Sequence, residues 1–99
     1  MQINSSDRSI TVDTTTVVIS EEKKNAERTN ITFVNTSTGG QKITVSTSGD
    51  AVSGAGLVLY AGGSNEKQKT SNLPIIQSRI TAISDLAGGT LAVHEEVLQ

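Results

Sequence analysis

Residues 29–47 read Thr29-Asn30-Ile31-Thr32-Phe33-Val34-Asn35-Thr36-Ser37-Thr38-Gly39-Gly40-Gln41-Lys42-Ile43-Thr44-Val45-Ser46-Thr47. Ile31 and Phe33 stand two apart, and so do Ile43 and Val45. A period of two puts each pair on one face of a strand. Gly39 and Gly40 lie between the runs, where a turn needs φ > 0. The stretch therefore predicts two strands joined as a hairpin with a longer loop.

The same pattern recurs on either side. Ser9-Ile10-Thr11-Val12-Asp13 alternates, and Thr14 to Ser20 continues as a strand after a bend. Glu21 to Arg28 is charged and has no apolar face, so it reads as a loop or a short solvated helical turn. Downstream, Ala51-Val52-Ser53 is a short strand and Leu57-Val58-Leu59-Tyr60-Ala61 is apolar on both faces. Ser64 to Ser71 reads as a polar edge strand, Gln77 to Ser84 as an alternating one, and Thr90 to Glu95 as the last. Nine valines, nine isoleucines and thirteen threonines supply β-branched side chains suited to a pleated sheet.

The expected fold is all-β: a small antiparallel β-sandwich or barrel of about seven or eight short strands. The 99 residues make one domain, 1–99, with residues 1–8 as a flexible N-terminal arm and 97–99 as a tail. The expected core is Ile10, Val12, Val17, Ile19, Ile31, Phe33, Ile43, Val45, Leu57, Leu59, Ile80, Leu91 and Val93. Burying each contributes about 1.5 to 3 kcal/mol. With only one Phe, one Tyr and no Trp, that core is marginal for a monomer, which favours help from neighbouring subunits.

Composition narrows the function. There is no cysteine, so no disulfide or thiolate metal site. The net charge is −2, which gives no electrostatic basis for nucleic acid or an anionic membrane as partner. No apolar run approaches a spanning length, and Met1 to Ser6 lacks the pattern of a signal peptide.

The candidate chemical sites are weak. His94 and Glu96 share a strand face and Glu95 takes the other; two ligands are too few for catalytic zinc. Asp13, Asp50 and Asp85 fall in turns without calcium-loop spacing, and turn aspartates commonly bind local backbone. Gly54-Ala55-Gly56 and Gly62-Gly63 lack the lysine and helix of a phosphate loop. No nucleophile-elbow pattern is present. The expectation is no enzyme: no catalytic residue, no cofactor and no metal.

Two segments are candidate interfaces. The strand with Leu57, Val58, Leu59 and Tyr60 needs cover on both faces, from a central place in a sandwich or from another subunit. The loop Leu73, Pro74, Ile75 and Ile76 is either a plug over one end of the sandwich or a docking point.

From Arg28 onward the order of features resembles a known class. Arg28 leads a strand that ends at Asn35, and Lys42-Ile43-Thr44-Val45 follows. Gly56-Leu57-Val58-Leu59 precedes Gly62-Gly63, and the chain closes on Ile80-Thr81-Ala82-Ile83 and Gly89-Thr90-Leu91-Ala92-Val93-His94-Glu95. Over residues 28 to 96 this resembles the small β-sandwich accessory proteins that decorate or cement bacteriophage capsids. The resemblance implies a non-enzymatic virion structural protein, assembled in the host cytoplasm. It also implies a homo-oligomer that contacts a major capsid or other virion protein. The alternative is a receptor- or glycan-binding module of a fibre or cell-surface adhesin.

Overall fold

The computed structural model describes residues 3–68 and 77–99. Leu73, Pro74, Ile75 and Ile76 lie outside the described residues. Among the described residues eight strands form: β1 (Ile3–Val12), β2 (Val17–Ser20), β3 (Glu27–Asn35), β4 (Ile43–Ser46), β5 (Leu57–Leu59), β6 (Ser64–Gln68), β7 (Ile80–Ser84) and β8 (Gly89–Leu98). They make two four-stranded antiparallel sheets, ordered β1-β8-β3-β6 and β2-β7-β4-β5.

The pairs β1–β8, β2–β7, β3–β6 and β4–β5 match strands from opposite ends inward, as in one long ribbon folded at the middle. Rolling that ribbon brings β3 against β8 and β4 against β7. This is jelly-roll topology, an all-β solution with two sheets facing one core. The ten-residue β1 and β8 run side by side from Ile3↔Leu98 to Val12↔Gly89. At about 3.3 Å per residue they account for much of the 41 Å long axis.

The core lies between the sheets. Val12, Ile19, Ile31, Phe33, Ile43, Val45, Leu59, Ile80, Leu91 and Val93 are buried, with Ile10, Val17 and Leu57 packed against them. All thirteen residues expected in the core therefore belong to it, and Ala51 and Ala82 are buried as well. Alternation places these side chains because each strand has one face on the opposite sheet.

Three local readings change. Residues 3–8 are the first half of β1, paired to β8, and not an arm; their polar side chains hid a strand whose backbone is satisfied by its neighbour. Val97 and Leu98, read as a tail, continue β8. β3 and β4 do not form a hairpin, because they lie in different sheets. The connection crosses from sheet to sheet and is held by buried Asn35, whose Nδ2 donates to the carbonyls of Gln41 and Leu59, both at 2.8 Å. The short strand read at 51–53 reduces to a single bridge, Val52↔Ala55.

The doubly apolar segment 57–61 supplies β5, an edge strand rather than a central one. Leu59 points into the core, and Val58 and Tyr60 face outward. Tyr60 is 62% exposed, with Lys42 Nζ 5.2 Å from its ring centroid. Val58 and Tyr60 border a shallow hollow of about 390 Å³ together with Lys42, Thr44 and Asp85.

Candidate functional site: a buried ion cluster beneath an open cleft

The inward file of β8 runs Gly89, Leu91, Val93, Glu95. The last of these is a carboxylate, yet it is only 3% exposed. A buried charge needs a partner of opposite sign and hydrogen bonds for its remaining lone pairs. Arg28 on β3 provides the first: its Nε donates to Glu95 Oε2 at 2.7 Å, and the residue is 0% exposed.

A one-residue irregularity brings Arg28 there. Ile31, Phe33 and Asn35 face inward, so strict alternation would turn Thr29 in and Arg28 out. The β3–β8 register shifts between Arg28 and Asn30, and Thr29 is the extra residue of a bulge. Beyond a bulge every side chain changes face. The β2–β7 register also shifts, between Val18 and Ser20. There Ile19 and Ser20 are both buried, and Ser20 Oγ donates to Glu95 Oε2 at 2.6 Å. Two bulges in facing sheets thus deliver Ser20 and Arg28 to one carboxylate.

The remaining donors of Arg28 are met by Ser20 Oγ at 2.7 Å and by the carbonyls of Glu21 and Ser78 at 3.1 and 3.3 Å. The Gln77 side chain clasps the Arg28 main chain, accepting from its N–H at 2.7 Å and donating to its carbonyl at 3.0 Å. The last described β3–β6 pair is Asn30↔Gln68, and the two Gln77 side-chain bonds give the Arg28 main chain a ladder-like partner.

Two more cations approach Glu95. Arg8 Nη2 donates to Oε1 at 3.1 Å and to the carbonyl of Ile19 at 3.0 Å, while Nη1 donates to Ser6 Oγ at 2.7 Å. Lys23 Nζ lies 3.8 Å from Oε2. Burial pushes the Glu95 carboxyl upward, but hydrogen bonds from Ser20 and Arg28 and the charges of Lys23 and Arg28 outweigh it. The net effect holds Glu95 below its ordinary value. Arg8, Lys23 and Glu95 open into a cleft of about 290 Å³ between β1 and β2, which adjoins one of about 530 Å³ reaching Lys24.

On the outer face of the same sheet, His94 Nδ1 is 2.6 Å from Asp7 Oδ1 across β1–β8, and Nε2 is 3.9 Å from Glu96. The hydrogen bond to Asp7 raises the imidazole above its ordinary value. Loss of surrounding water to neighbouring atoms lowers it by less, and the charges of Asp7 and Glu96 add to the rise. His94 and Glu96 do share a face, as the sequence indicated; Asp7 joins them only through strand pairing.

The three turn aspartates are occupied separately. Asp13 Oδ1 accepts from Gly88 N at 2.8 Å, Asp85 Oδ1 from Lys42 N at 2.7 Å, and Asp50 Oδ1 from Arg79 at 2.8 Å. Among the described residues no three His, Asp or Glu side chains gather as metal ligands. Of the candidate interface residues, Leu57 and Leu59 pack inward and Val58 and Tyr60 face out.

Sequence reading missed the Arg8–Ser20–Lys23–Arg28–Glu95 cluster. One signal was present: Glu95 has the parity of Leu91 and Val93, and a carboxylate in an inward file requires a buried cation. No protein-family model matches this chain, and no curated protein matches its sequence.

Proposed function

We propose that this protein is a non-enzymatic structural component of a bacteriophage virion, decorating or cementing a capsid through contacts with its own copies and a shell protein. The observation that carries this reading is the strand order β1-β8-β3-β6 over β2-β7-β4-β5. Jelly rolls of this kind recur in viral capsid and lectin domains. The outward Val58 on the three-residue edge strand β5, with Tyr60 just beyond its end, offers an apolar contact beside a strand edge that is unpaired among the described residues. Because a fold hosts many functions, the topology supports the class and leaves the partner to experiment.

The test is protein composition of purified particles. Where neighbouring genes encode a major capsid, portal or tail protein, mass spectrometry of banded virions should find this chain in lattice-like copy number. Cryo-electron microscopy should place its sandwich on the shell. Particles that lack the chain overturn the reading. A glycan array with a clear saccharide hit would support a receptor-binding module instead, since lectins use the same topology.

A further inference from the structure

We propose that the cleft between Arg8 and Lys23 is an oxyanion-binding site, taking a phosphate or carboxylate group carried by a small polar ligand. The inference does not depend on the virion reading.

The argument is one of charge and donor counting. Arg28 lies 2.7 Å from Glu95 and is fully buried, so these two neutralise each other. Glu95 Oε2 already accepts from Ser20 and Arg28, and Oε1 accepts from Arg8. Arg28 and Arg8 already reach both carboxylate oxygens, so Lys23 adds only its charge. Lys23 is nevertheless held there, with its side chain only 21% exposed and its ammonium at 3.8 Å, beyond hydrogen-bond distance. Its own backbone is pinned by a bond from Lys23 N to the carbonyl of Gln77 at 2.9 Å. Among the described residues the Lys23 ammonium donates no hydrogen bond.

Arg8 shows the same surplus. Its side chain is 34% exposed and spends three of five N–H groups, on Ser6, Ile19 and Glu95. Two half-buried cations with unspent donors thus face one cleft, each within 4 Å of a carboxylate that is already satisfied. Glu21 borders the same cleft, and Ser5, Ser6, Asn25 and Glu22 line the adjoining space, whose volume of about 530 Å³ admits more than a bare ion. Lys24 stands further out, paired with Glu22 at 3.6 Å. Partly desolvated cations with fixed positions bind oxyanions through charge-assisted hydrogen bonds.

The experiment titrates the purified protein with inorganic phosphate, sulfate and glucuronate, each against sodium chloride at equal ionic strength. Amide and arginine side-chain chemical shifts are followed by nuclear magnetic resonance. Saturable shifts at Arg8, Lys23 and Glu95, with a dissociation constant in the millimolar range or tighter, are expected from at least one oxyanion. A stronger response to phosphate names a phosphate-bearing ligand, and a stronger one to glucuronate names an acidic sugar. Lys23→Gln should weaken binding roughly ten-fold. Lys23→Arg should retain it, which separates charge from folding. Lys24→Gln should change it little. Shifts no larger than those with chloride, or undiminished binding by a folded Lys23→Gln protein, overturn the proposal.

Discussion

Arg28 and Glu95 meet at 2.7 Å between the sheets, where the apolar file of β8 ends and the bulge at Thr29 turns β3 over. An ion pair removed from water in this way is stable only while both members are present. Glu95→Gln leaves a fully buried guanidinium without its counter-charge and should destabilise the fold by about 3 to 5 kcal/mol. Replacing both, as Arg28→Met with Glu95→Leu, should cost less than either single change, since apolar substitution of a buried pair is often neutral. Urea denaturation of the three variants measures this. A double variant weaker than both singles would mean that the cluster contributes more than the pair.

The same carboxylate sets an acid limit. Its native value is held below the ordinary 4.5, so it contributes stability above that pH. The contribution is lost as pH falls through the lowered native value. Wild-type stability should therefore drop below about pH 4.5, and Glu95→Gln should show a flatter profile over that range. Melting temperature against pH for both proteins checks it.

His94 works in the opposite direction. With its value raised above 6.5, the protonated imidazole joined to Asp7 stabilises the pairing of β1 and β8 fully below pH 6.5. That contribution fades as pH rises through the raised native value. The side chains are exposed, so the readout is the titration itself: Asp7→Asn should bring the His94 midpoint down toward 6.5 in a proton NMR titration. An unchanged midpoint would assign the rise to Glu96.

Phe33 is the one large aromatic in the core and is 0% exposed. Phe33→Ala should cost about 3 to 5 kcal/mol through lost burial and the cavity it leaves. A denaturation midpoint that barely moves would show that neighbouring Ile and Val side chains collapse into the space.

Faces were legible in the sequence; partners were not. Period-two spacing located the large apolar side chains that face inward, because burial on one face is a local property of each strand. Pairing is not local. Nothing in Asn30 to Val45 distinguishes a hairpin from a crossing between sheets, and the deciding group, the Asn35 amide, binds carbonyls at positions 41 and 59. The ion cluster was hidden for a second reason. Bulges at Thr29 and Ile19 break the parity on which alternation rests, so Arg28 and Ser20 take the face that counting denies them. Ile3 to Arg8 escaped notice because a strand whose side chains are mostly solvated carries a weak apolar signature.

The placement of Tyr60 has an optical consequence. It is the chain's only tyrosine, there is no tryptophan, and it stands outside the packed interior beside Lys42. Ultraviolet-excited emission from this protein therefore reports on its skin rather than its heart. Unfolding moves Tyr60 from one wet setting to another and should leave the emission nearly silent. A molecule that settles on the outer side of β5 would displace water and the lysine from the ring, and the signal would register its arrival.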